Sequence, residues 1–185
     1  SVAMTDSWVY AGTAGGYVYR SSNMGLSWTG RHIGMAPDSP VISLGSRGDS
    51  ILAGTEFGLY LSTDYGQNWS GLNQGLPVST VVKSILAQGT LLFIATDQGL
   101  YRSINGGTNW IKINGTEFTN AGALAVADGK LFVSAAGGVF RSDDNGESWL
   151  LKSAGLTNPY INRLVASGPD LFACTQGGGV FCSKD

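Results

Sequence analysis

Ser62-Thr63-Asp64-Tyr65-Gly66-Gln67-Asn68-Trp69 is one of four near-copies of a single phrase. The others are Ser21-Ser22-Asn23-Met24-Gly25-Leu26-Ser27-Trp28, Ser103-Ile104-Asn105-Gly106-Gly107-Thr108-Asn109-Trp110 and Ser142-Asp143-Asp144-Asn145-Gly146-Glu147-Ser148-Trp149. A fifth copy opens at Ser183-Lys184-Asp185, where the chain stops. Each phrase follows a Gly-Leu/Val-Tyr/Phe segment, and the tryptophans are spaced by 41, 41 and 39 residues. A fixed period of this length marks a repeat architecture in which each copy is one structural unit.

The second repeat reads as four short strands. Val41–Leu44 is apolar and is followed by the turn Ser46-Arg47-Gly48-Asp49; Ile51–Ala53, Leu59–Ser62 and a segment opened by Trp69 complete the set. Each piece is rich in β-branched and aromatic residues and bounded by glycine or Asx turns. No stretch has an apolar 3.6-residue period long enough for a helix. The second strand of every copy is apolar at consecutive positions: Val9-Tyr10-Ala11, Ile51-Leu52-Ala53, Leu92-Phe93-Ile94, Leu131-Phe132-Val133 and Leu171-Phe172-Ala173. Successive strand side chains point to opposite faces, so both faces of these strands are expected to be covered. A small antiparallel sheet covered on both faces by copies of itself is a propeller blade. A sandwich, with one wet face and clean alternation, ranks second.

The expected fold is therefore all-β: a propeller of about five four-stranded antiparallel blades within one domain, residues 1–185. Its blades fall near 1–32, 33–73, 74–114, 115–153 and 154–185, the last without its outer strand. The termini supply no spare strand to close a ring by sharing a blade. The alternatives are a piece of a larger propeller, a five-bladed ring with one three-stranded blade, or self-association through open end blades, whose apolar faces and strand edges favour pairing.

The repeated phrase resembles the Asp-box, or BNR repeat, of sialidase, sortilin and photosystem-assembly-factor propellers. The pattern Ser-x-Asp/Asn-x-Gly-x-x-Trp runs through four copies covering nearly the whole chain. The resemblance implies a structural role for Asn23, Asp64, Asn105 and Asp144 and for Trp28, Trp69, Trp110 and Trp149. The residues give a physical reason. An Asx side chain can accept backbone N–H bonds within the turn, glycine admits a positive φ, and the tryptophan covers the hairpin.

Composition excludes several functions. Charged residues are 13% and the net charge is −2, which advertises no basic surface for nucleic acid. No apolar run reaches the roughly 18–20 residues needed to span a bilayer. The first residues do not read as a charged-then-apolar leader, but low charge with polar loops suits an extracellular or periplasmic setting. Cys174 and Cys182 flank the Gly177–Gly179 turn; they are either a hairpin disulfide or two free thiols. No Cys/His cluster has metal-ligand spacing, and no metal or cofactor is expected.

With the repeated turn on one rim, the opposite rim carries the variable loops: Arg31 to Pro40, Asn73 to Ser79, Asn114 to Asn120 and Ser153 to Tyr160, with turns at Gly15-Gly16, Glu56-Phe57, Asp97-Gln98, Gly137-Gly138 and Gly177–Gly179. Function tends to sit on such loops. The candidate ligand-binding residues are Asp38, Glu56, Phe57, Asp97, Gln98, Glu117, Phe118 and Tyr160, whose rings could stack on a sugar or anchor a peptide. Asp38, Glu56, Asp97 and Glu117 are also the only loop acids placed for a two-carboxylate glycosidase. Sialidase chemistry is not expected: Arg20, Arg102 and Arg141 share one strand position, so they repeat with the blade and do not converge. The single His32 has no identifiable serine–aspartate partner. Lys83, Asn162 and Arg163 interrupt the first strands, which are expected to line a central channel. The reading is a non-catalytic binding or scaffold module for a glycan or protein partner, with a glycoside hydrolase as the alternative.

Overall fold

The computed structural model describes residues 1–31, 35 and 38–183; His32 and the Lys184-Asp185 end of the fifth copy lie outside them. Among the described residues, nineteen strands form five antiparallel sheets, each in sequential order. The first sheet holds β1 (Val2–Met4), β2 (Val9–Gly12), β3 (Val18–Ser21) and β4 (Thr29–Arg31). The second holds β5 (Val41–Arg47), β6 (Ser50–Thr55), β7 (Gly58–Ser62) and β8 (Ser70–Gly71). The third holds β9 (Val82–Gln88), β10 (Leu91–Thr96), β11 (Gly99–Ser103) and β12 (Ile111–Lys112). The fourth holds β13 (Leu124–Ala127), β14 (Lys130–Ala135), β15 (Gly138–Ser142) and β16 (Leu150–Leu151). The fifth has three strands, β17 (Ile161–Ser167), β18 (Asp170–Thr175) and β19 (Gly179–Ser183). The all-β expectation, with a last sheet one strand short, is met.

Two compact units emerge. One comprises Ser1–Ile94 with Tyr101–Ile111, the other Ala95–Leu100 with Lys112–Asp185. In the first, Ile51, Leu52 and Ala53 on β6 are all fully buried, so both faces of that strand are covered. In the second, β14 buries Leu131, Phe132, Val133 and Ser134 in succession. The last second strand departs from this. On β18, Leu171, Ala173 and Thr175 are buried, whereas Phe172 and Cys174 are only half-buried. One face of the fifth sheet is packed and the other is not.

Turn chemistry fixes the registers. The β13–β14 connection is Asp128-Gly129, with φ of 48° and 70°. Positive φ at both central residues is what a type I′ hairpin requires, and Asp-Gly supplies it at low cost. The β18–β19 register bears on the two open readings of the cysteines. Cys174 faces Val180, while Cys182 faces Phe172, and both thiols are free. The two cysteines are diagonal neighbours, a relation that leaves Cβ atoms about 7 Å apart, beyond bridging range.

Candidate functional site

The repeated turn joins the third and fourth strands of its sheet, and its serine is the hub. Ser21, Ser62, Ser103 and Ser142 are each 2% exposed or less. Each Oγ accepts the glycine N–H four residues on, at 2.8–2.9 Å, and donates to the Asx Oδ1 at 2.8 Å. That Oδ1 then accepts the N–H of Ser27, Asn68, Asn109 or Ser148 at 2.9–3.1 Å. Only Oδ1 is common to all four turns, which explains why Asn23 and Asn105 serve where Asp64 and Asp144 do. The fourth position is left-handed as well: Met24, Tyr65, Gly106 and Asn145 have φ of 55°, 58°, 72° and 57°.

Asp64 and Asp144 are both held at a pKa of about 2. For Asp64 the main cause is the Asn68 backbone N–H, followed by the Asn68 amide and the Ser62 hydroxyl. For Asp144 the Ser148 hydroxyl and backbone N–H dominate, with Ser142 behind them. Hydrogen bonds to the ionised form stabilise it. These carboxylates are occupied by their own turns. Among the described residues, no three His, Cys, Asp or Glu side chains gather into a metal-binding set.

The tryptophans differ from one another. Trp69 and Trp110 are 4% and 3% exposed, and Trp110 Nε1 donates to the Leu72 carbonyl at 2.8 Å. Trp28 is 42% exposed and turns its Nε1 back to the Gly25 carbonyl at 3.0 Å. Trp149 meets Phe118 edge-on, with ring centres 5.7 Å apart.

The other end of each sheet is built differently. The turn between second and third strands is pinned by a threonine in four sheets. Thr55 Oγ1 accepts the Phe57 N–H at 3.0 Å and donates to the Gly58 carbonyl at 3.1 Å. Thr96 does the same for Gln98 and Gly99. Thr13 and Thr175 donate to Tyr17 and Gly179. The sequence signal for this second device is a threonine three or four residues before the strand glycine or tyrosine; Ala135 replaces it in the fourth sheet.

On this scaffold the expected site residues separate. Glu56 and Phe57 are exposed at the tip of the β6–β7 turn. Asp38 is exposed with φ 54°, its loop backbone resting against Gly16. Those three belong to the first unit. In the second unit, Asp97 and Gln98 are half-buried in the β10–β11 turn, and Tyr160 is 71% exposed. Tyr160 is fixed through its backbone: Asn158 Oδ1 accepts its N–H at 2.9 Å, and its carbonyl accepts the Gln176 N–H at 2.8 Å. Glu117 folds its carboxylate over Gly115. Phe118 corrects the expectation of a ligand-facing ring. It is 1% exposed, set in the 3-10 turn Thr116–Phe118, and meets Phe140 edge-on at 5.3 Å as well as Trp149. It plugs its own loop.

The shared arginine position is likewise structural in the first unit. Arg20 Nη1 donates to the Tyr65 carbonyl at 2.7 Å, and its guanidinium lies 4.8 Å from the centre of the Trp8 ring. Arg141 instead forks onto Asp143 at 3.0–3.2 Å.

No protein-family model and no curated protein matches the sequence. Solved structures do match the fold. The extracellular domain of BT4673 from B. thetaiotaomicron aligns with a TM-score of 0.79 at 18% identity, over 98% of this chain and 26% of that one. The GH74 enzyme of Niastella koreensis aligns at 0.73 and 18%, over 99% of this chain and 30% of that one. YCF48 bound to D1 peptide aligns at 0.70 and 18%, over 96% and 60%. The fold is a β-propeller. The chain spans about a quarter to three-fifths of the length of these structures, and at this identity the likeness carries the blades and not the activity.

Proposed function

We propose that this chain is a non-catalytic binding module of the Asp-box propeller type, part of an exported protein. It presents the turns before its third strands and the loops before its first strands to a protein or glycan ligand. The observation that carries this reading is a pair of exposed rings on tied backbones. Phe57 is 49% and Tyr160 71% exposed, yet hydrogen bonds hold the main chain of each. A ring that is wet while its backbone is fixed offers contact area at little ordering cost.

The acids support binding over hydrolysis. Asp38 and Glu56 stand in solvent, and Glu117 is folded onto its own loop; paired-carboxylate chemistry needs two groups about 5–10 Å apart across a cleft. Among the structural neighbours, a bound peptide and an extracellular domain are consistent with a protein ligand and with export.

The test is a screen of the chain on glycan arrays and immobilised peptide libraries, repeated with Phe57→Ser and Tyr160→Ser. At least one variant is expected to lose about tenfold in affinity at unchanged Tm. Affinity unaffected by both substitutions would contradict the reading.

A further inference from the structure

Asparagine before glycine is chemically labile, because no side chain on the second residue hinders its backbone nitrogen from reaching the asparagine carboxamide. The chain has three such pairs, Asn105-Gly106, Asn114-Gly115 and Asn145-Gly146. The fold treats them differently.

Two of them lie in the repeated turns, where the attacking nitrogen is already engaged. The Gly106 N–H donates to the Thr90 carbonyl at 2.9 Å, and Asn105 Oδ1 accepts the Ser103 hydroxyl and the Asn109 N–H. The Gly146 N–H donates to Oγ of the buried Ser142 at 2.8 Å. A nitrogen held in this way keeps its proton and its place, so these pairs react only when the turn opens.

Asn114-Gly115 lies between β12 and the Thr116–Phe118 turn, and both residues are exposed. Among the described residues, the Gly115 N–H has no acceptor and the Asn114 carboxamide has no hydrogen-bond partner. Nothing in this loop restrains the two reacting groups as the turns restrain theirs.

We propose that Asn114 is a site of spontaneous deamidation in the folded chain, and that the pairs in the repeated turns are protected from it. The Gly115 nitrogen gives its proton to solvent base and attacks Asn114 Cγ; a C–N bond forms, ammonia leaves, and a five-membered succinimide closes. Water then opens the ring at either carbonyl, yielding isoaspartate or aspartate. Either product sets a new carboxylate near that of Glu117, which packs against Gly115. Isoaspartate also lengthens the main chain by one methylene just ahead of the turn that buries Phe118. The loop thereby records the age of the chain in its charge and its backbone. This inference does not rest on the ligand-binding reading above.

The experiment stores the intact chain for weeks in mildly alkaline buffer, folded and in parallel in concentrated urea. Each asparagine is followed by peptide mass mapping, with isoaspartyl methyltransferase labelling to identify the isomer. In the folded chain Asn114 is expected to convert at least about tenfold faster than Asn105 or Asn145, whose reaction waits on local opening. In urea the three pairs are expected to converge on similar rates. Asn114→Gln is expected to abolish the fast product, since glutamine has to close a six-membered ring. Gly115 is left in place because its φ of 138° resists a side chain. Equal rates at the three sites in the folded chain would overturn the proposal. So would an unmodified Asn114 once the urea sample has reacted, or a fast product that persists in Asn114→Gln.

Discussion

Two grooves in this molecule have walls of the same kind and different fates. Tyr10, Val18, Ile51 and Ala53 surround Trp69, and all but the indole are fully buried or within 1% of it. Phe132, Val139, Leu171 and Ala173 hold the same repeat positions, keep 3–7% exposure and border an open cavity. The difference is one large side chain, Trp69, set just before β8; the fifth repeat phrase runs only over Ser183-Lys184-Asp185 in residues 1–185 and brings no such tryptophan. It teaches that the sheets supply shape, while Trp69 and Trp110 each seal one sheet to the next.

The largest expected effect follows from removing that seal. Trp69→Ala is expected to destabilise folding by about 3–5 kcal/mol, because it opens a cavity in a dry cluster. Phe132→Leu, in the groove that is already open, is expected to cost only about 1 kcal/mol. Denaturant unfolding of the two variants makes the contrast, and comparable losses would break it.

A smaller effect separates the members of the repeated turn. Ser62→Ala leaves the buried Gly66 N–H without its acceptor and is expected to cost about 1–3 kcal/mol. Asp64→Asn is expected to change stability by no more than about 1 kcal/mol at pH 7, because Asn23 and Asn105 make the common Oδ1 bonds. The serine, and not the acid, is the member the turn cannot replace.

The smallest effect is in acid. Asp64 and Asp144 have folded-state pKa values of about 2 against an ordinary 3.8. Their contribution is therefore fully present above about pH 4 and is lost as pH falls from there toward 2. Asp144 is solvent-exposed and Asp64 only half-buried, so screening keeps the slope shallow. The double variant Asp64→Asn, Asp144→Asn is expected to flatten the stability–pH profile in that window and leave it unchanged above pH 5.

Much of this was legible in the sequence, and the failures have physical causes. Period, strand count and the three-stranded last sheet follow from spacing and turn residues, which act locally. Phe118 was misread because its neighbours Thr116-Glu117 and Thr119-Asn120 are polar; its burial is decided by Phe140 and Trp149, distant in sequence. The cysteine pair stays open between two readings in the sequence because a two-residue offset in register is invisible to spacing across a glycine turn. The serine hub was legible as an invariant of the four copies but was passed over for the more conspicuous acid. Apolar runs on β18 promised two covered faces; the strand has one, since coverage depends on the neighbouring sheet and not on the run itself.

The most direct measurement of the contrast between the grooves is a matched pair of unfolding free energies, for Ala53→Leu and Ala173→Leu. Both alanines occupy the same repeat position, one fully buried beside Trp69 and the other 6% exposed at the open groove. Overpacking the sealed cluster is expected to cost about 1–3 kcal/mol. The same three carbons added at Ala173 enter free space, so that variant is expected to be neutral or more stable. Equal destabilisation by the two substitutions would contradict the account.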